Sequence, residues 1–166
     1  MERRGFFQSL VSLVGGGILS LMALVPGLAY LIGTPFRKSE DIQGWTPVGP
    51  LADLPKERPS QRVISVKEKD GWQIREQNQL VFVVFDGEQP QVLSSICPHL
   101  SCSLFYESAE KRFHCPCHNS FFDGKGTHVT GPSPRDMDPL PSKVEGDVLY
   151  CRWVAYRSGE PDRVEV

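Results

Sequence analysis

Two short loops fix what this chain can fold into: Cys97-Pro98-His99-Leu100-Ser101-Cys102 and Cys115-Pro116-Cys117-His118-Asn119-Ser120. Each offers a thiolate and an imidazole two or three residues apart, so whatever scaffold surrounds them has to deliver both loops to one place. Cys102 and Cys117 are left over. A mononuclear zinc site would use four of the six groups, but zinc loops usually pair like with like, whereas both loops here mix sulfur and nitrogen. Two thiolates on one iron and two imidazoles on another match a [2Fe–2S] centre directly.

C-x-H-x-x-C followed by C-x-C-H-x-S resembles the Rieske family of iron–sulfur proteins, and the likeness runs from about Arg62 to the C-terminus. It implies that Cys97 and Cys115 are thiolate ligands of the inner iron and His99 and His118 imidazole ligands of the outer iron. It also implies a Cys102–Cys117 disulfide, a feature of the quinol-oxidising branch that typical oxygenase-type ferredoxins lack. Without the family, these two cysteines are also readable as spare buried thiols. The remaining cysteine, Cys151, alternates with Leu149 and Trp153 and reads as a buried, inert thiol.

No charge interrupts residues 10–32, and 23 residues at 1.5 Å each give about 34 Å, enough for a hydrocarbon core of roughly 30 Å. This segment is read as a retained transmembrane anchor, because no small-residue cleavage site follows it and it is long for a signal peptide. Ser12, Gly15, Gly16, Gly17 and Ser20 would let another helix approach closely, and Pro26-Gly27 should kink the second half. Arg3 and Arg4 on one flank balance Arg37 and Lys38 on the other, so charge alone does not orient the helix. Glu2-Arg3-Arg4-Gly5-Phe6-Phe7 resembles a twin-arginine export signal, a route for proteins folded around a cofactor. That places the N-terminus in the bacterial cytoplasm and the soluble domain on the outer, periplasmic side of the membrane.

The expected organisation is an anchor over 1–36, a Pro/Gly-rich tether over 37–61, and a Rieske domain over 62–166 with a cluster-binding insertion at about 97–134. Strands are expected at 62–67, 80–85, 91–96 and 148–157, separated by Asp-Gly and Gly-Asp turns and without an amphipathic helix. The fold class is therefore all-β, an antiparallel sandwich of Rieske type behind one transmembrane helix. A net charge of −2 argues against nucleic acid as a partner.

The resemblance assigns further roles around the cluster. Ser120 would donate a hydrogen bond to a cluster sulfur, Leu100 would stand at the exposed loop tip, and Pro132, in Gly131-Pro132-Ser133-Pro134, would belong to a loop covering the cluster. Ser101 and Asn119 replace frequent family glycines. Phe122 stands where high-potential relatives carry a tyrosine donor, which implies a lower potential suited to menaquinol. His114 and His128 read as ordinary polar residues. The implied function is that of the Rieske subunit of a membrane quinol–cytochrome c oxidoreductase of cytochrome bc type, not catalytic alone. His99 and His118 would face the quinol, and the partners would be a cytochrome b-type membrane subunit and a c-type cytochrome. The alternative is the Rieske small subunit of an exported molybdenum oxidase such as arsenite oxidase.

Overall fold

Val81-Phe82-Val83-Val84 is at most 3% exposed along its whole length, so the strand that carries it has a core on each face. The computed structural model describes residues 3–33, 44–70 and 72–166, divided into the units Met1–Ser39 and Glu40–Val166. In the second unit the described strands are β1 (Thr46–Pro50), β2 (Ser60–Asp70), β3 (Gln73–Asp86), β4 (Gln89–Ser94), β5 (Phe105–Glu107), β6 (Arg112–Cys115), β7 (Ser120–Phe122), β8 (His128–Thr130), β9 (Pro139–Leu140), β10 (Ser142–Glu145) and β11 (Val148–Cys151). They form three antiparallel sheets with orders β1-β11-β10, β2-β3-β4-β9 and β5-β6-β7-β8.

Because strand side chains alternate between faces, β3 and β4 serve two cores. Val81, Val83 and Val92 join Ile64 and Val66 of β2 against Val48, Leu149, Cys151 and Trp153. Phe82, Val84 and Leu93 turn the other way and pack on Phe113, Phe122 and Met137, together with Cys97 and Cys115. The middle sheet thus carries the cluster-binding insertion on the face opposite the first sheet. Cys151 is fully buried and unpaired, and burial pushes its thiol up to about 11, in keeping with an inert core residue.

Three expectations need correction, the first being the strand expected at 91–96, which runs instead over Gln89–Ser94. The tether over 37–61 gives up residues 46–50: β1 pairs with β11 in the register Thr46↔Cys151 and Pro50↔Val148. Pro47, Gly49 and Pro50 read as linker residues, yet β1 is an edge strand, where a missing N–H leaves no ladder bond unmade. The last strand is shorter than 148–157, ending at Cys151. Residues 34–43, including Arg37 and Lys38, and Glu2 lie outside the described residues.

The first unit is helix α1 (Arg3–Gly33), 31 residues with Pro26 inside it. Gly5–Ala29 is long and apolar enough to cross a membrane.

Candidate metal centre

The first ligand loop is closed at its base by an antiparallel bridge between Ile96 and Ser103. Within it the Cys97 N–H donates to the Cys102 carbonyl at 2.7 Å and the Ser101 N–H to the Cys97 carbonyl at 3.0 Å. This tight reversal puts Ser101 at φ 60°, a left-handed conformation that costs a non-glycine residue about 1 kcal/mol or more. The second loop is a hairpin connection: Cys115 and Ser120 are register partners of β6 and β7, with Pro116–Asn119 between them. Asn119 sits at φ 55°, which asparagine tolerates better than most residues. Both positions where the sequence departs from the family's glycine therefore keep the backbone that glycine favours.

A third segment closes against the second loop. Gly131 has φ +103°, and a Cβ there would lie 2.5 Å from the Asn119 carbonyl oxygen and 2.5 Å from Ser120 Cα. The Ser133 N–H donates to Ser120 Oγ at 3.1 Å. Accepting that bond leaves the buried Ser120 hydroxyl free to donate, and its nearness pulls the Cys97 thiol's pKa down. Pro132 lies exposed in this segment.

The donor atoms fit a two-iron centre. Cys97 and Cys115 are buried free thiols. The rings of His99 and His118 lie 4.8 Å apart at 85°. His99 Nδ1 is buried without a protein partner, a loss of about 1–3 kcal/mol unless something outside the chain satisfies it. Two thiols and two imidazoles are the donor set of a Rieske [2Fe–2S] centre. Burial pushes the Cys97 thiol up to about 11; hydrogen bonds from the His99 backbone and Ser120 pull against that, while the Cys115 thiol adds to it. A thiol so raised keeps its proton near neutral pH, and a bound cation would displace it.

Cys102 and Cys117 are joined in a disulfide with Cα atoms 6.5 Å apart. Their sulfurs and that of Cys115 all lie within 4.8 Å of one another. This trio is not a metal site, since oxidised sulfurs are no longer thiolates; it shows instead how close the bridge runs to Cys115. Leu100 is exposed at the loop tip, and Phe122 is fully buried, its ring meeting His128 edge-on at 5.6 Å.

One supporting residue gives little signal in the sequence. His114 Nδ1 meets Glu107 at 2.9 Å and Nε2 meets Asn119 Oδ1 at 3.2 Å, while its ring stacks on Phe121 at 4.5 Å. It is thus a buttress for the residue next to His118, not merely a polar surface group. The signal that would reveal it is the register Phe105↔His114↔Phe121, which strands of three or four residues do not announce.

The family profile described as Rieske [2Fe-2S] domain matches residues 44–145. The chain is 30% identical over 154 residues to the menaquinol:cytochrome c reductase iron-sulfur subunit of Bacillus subtilis (strain 168), covering 90% of this chain and 90% of that one. It is 29% identical over 148 residues to the cytochrome b6-f complex iron-sulfur subunit of Chlorobaculum thiosulfatiphilum, covering 89% and 74% respectively. Among solved structures, the plasma membrane Rieske protein PetC3 of Synechocystis PCC 6803 superposes with a TM-score of 0.44 at 26% identity, over 63% of this chain and 96% of that one.

Proposed function

Since the chain belongs to the Rieske [2Fe-2S] family, we propose that it is the iron–sulfur subunit of a membrane quinol:cytochrome c oxidoreductase, drawing electrons from menaquinol and delivering them to a c-type cytochrome. What carries this reading is the extent of the likeness to the menaquinol:cytochrome c reductase subunit, nine-tenths of both chains. That leaves too few residues uncovered to omit the 31-residue helix α1. The names of the relatives, a menaquinol:cytochrome c reductase and a cytochrome b6-f complex, suggest this chain's own partners: a cytochrome b-type membrane subunit and a c-type cytochrome. The Arg3-Arg4 pair at the start of α1 fits export of the folded domain with the N-terminus left in the cytoplasm.

When bound, the cluster supplies one-electron redox chemistry within about −150 to +300 mV. The residues that would hold it are Cys97, Cys115, His99 and His118. His99 would use its buried Nδ1, which leaves the other ring nitrogen to accept a hydrogen bond and a proton from the quinol. Exposed His118 offers a second imidazole beside it. Exposed Leu100 provides apolar contact at the tip, and Gly131–Pro134 keeps water from the side of Ser120. Ser120 stabilises negative charge on the neighbouring sulfur.

Affinity purification of the full chain from membranes solubilised in mild detergent is expected to bring a b-type haem subunit with it, and added menaquinol is expected to elicit the reduced-cluster EPR signal. A molybdenum-containing partner, or a soluble product beginning near Thr34, would replace this reading with the exported-oxidase alternative.

The potential itself tests the choice of quinol. Ser120→Ala removes one hydrogen bond to sulfur, about 1 kcal/mol, and should lower the midpoint potential by roughly 40 mV for a one-electron couple. Phe122→Tyr is expected to raise it by adding a donor beside the ligand cysteines. Voltammetry at unchanged cluster content checks both. An unmoved potential in the tyrosine variant removes the Phe122 argument for menaquinol and leaves that choice resting on the likeness to the menaquinol:cytochrome c reductase subunit alone.

A further inference from the structure

Arg135 is buried together with Asp138, at 8% and 4% exposure, and a buried charge is tolerated only when its hydrogen-bonding capacity is filled. Every nitrogen of this guanidinium is used. Nε and Nη2 donate to the two Asp138 carboxylate oxygens at 2.8 Å each, Nη2 also donates to the Arg157 carbonyl at 3.0 Å, and Nη1 donates to the Glu160 carbonyl. Arg163 Nε reaches the same carboxylate at 3.3 Å.

The two carbonyls held by Arg135 bracket Ser158-Gly159, and that turn braces the first ligand loop. The Gly159 N–H donates to the Pro98 carbonyl at 2.8 Å, and the Ser158 and Ser101 hydroxyls share a hydrogen bond at 2.6 Å. In the other direction Arg135 follows directly on Gly131–Pro134, the segment packed on the second ligand loop. There the Ser133 hydroxyl donates to the Arg135 carbonyl at 2.9 Å while the Ser133 N–H holds Ser120 Oγ.

We infer that Arg135 is a positioning residue of the cluster site: it locks the carboxy-terminal turn behind the first ligand loop to the segment behind the second. The two loops are therefore tied twice, directly by Cys102–Cys117 and indirectly through this guanidinium. The second tie is indifferent to reductant. A lysine cannot replace it, because one ammonium does not span a bidentate carboxylate and two divergent carbonyls.

The test uses the full-length, cluster-loaded protein in lipid nanodiscs, comparing Arg135→Gln, Arg135→Lys and Ser158→Ala with the parent. With charged hydrogen bonds lost, Arg135→Gln should speed amide exchange at Gly159 and Ser101 by about tenfold, and cluster loss under dithiothreitol by a similar factor. Its reduced-cluster EPR lines should broaden, while exchange at Val83 and Val92 stays as in the parent. Arg135→Lys should recover part of the protection. Unchanged exchange at Gly159 and Ser101, or equal acceleration at Val83 and Val92, overturns the inference. If Arg135→Gln does not accumulate, Ser158→Ala decides: exchange at Ser101 about threefold faster at unchanged Tm is expected, and no change overturns it. The cluster readouts rest on the ligand assignment proposed above, whereas amide exchange does not. Wrong ligands would appear as a parent protein without the Rieske spectrum, and a wrong clamp as Arg135→Gln with parental exchange.

Discussion

Alanine at any one of Cys97, His99, Cys115 or His118 is expected to abolish the [2Fe–2S] spectrum at assembly, whereas Cys102→Ser/Cys117→Ser should assemble the cluster and then lose it faster. The two sets differ in what they contribute. On the proposed assignment the buried thiols and the orphaned His99 Nδ1 are donor atoms, and a site stripped of one would hold the cluster by three. The disulfide contributes confinement. A bridge between residues 15 apart is worth about 3 kcal/mol of loop-closure entropy in the chain-entropy model, so removing it loosens the loops without touching a ligand. The double serine variant is preferable to either single one, because it leaves no stray thiol within 4.8 Å of Cys115. Iron content at purification and the half-life of the visible absorbance separate the two behaviours. A double variant that never acquires iron would show that the bridge is required for assembly itself.

Gly131→Ala should be among the most damaging single-methyl additions in the domain. The new Cβ would stand 2.5 Å from backbone atoms of both Asn119 and Ser120, so no rotamer change can relieve it. Left-handed strain and overpacking together come to roughly 3 kcal/mol or more, a Tm lower by about 10 °C or more. Gly146→Ala is the control: its φ is +64° with nothing within 4 Å of the added methyl, so only the conformational part remains, about 1 kcal/mol. Thermal melts of the two variants compare them directly. Equal losses would show that close approach between the Gly131 segment and the second ligand loop is not what holds that wall in place.

The long strands are legible in the sequence because their apolar runs are long: β2 and β3 contain the stretches expected from β-branched and aromatic residues, and β4 takes in all but the last two residues of 91–96. The donor atoms are legible because six thiol and imidazole side chains crowded into two short loops suit little besides a metal cofactor. Ser101 and Asn119 are legible as glycine-like positions, and both adopt positive φ. The small strands are not. β5, β7 and β8 are three residues each, too short for alternation to register, and β1 is written in prolines and glycine. Arg135 is silent in the sequence for another reason: Asp138 is a local i,i+3 partner like that of many solvated pairs, while the Arg157 and Glu160 carbonyls that make it a clamp reach it only through tertiary structure.

The pairing of β1 with β11 also orders events in time. Thr46 cannot meet Cys151 until every residue between them has been made, whereas β5 to β8 pair only with sequence neighbours. Local contacts form quickly and distant ones late, so during synthesis the hairpins bearing the ligands can form while the first sheet still lacks two of its three strands. Until β10 and β11 emerge, Val48 and the inner face of the middle sheet remain uncovered, a surface of the kind that draws nascent chains into aggregates or onto chaperones. Emergence of β10 and β11, rather than chemistry at the loops, sets the moment at which the first sheet closes.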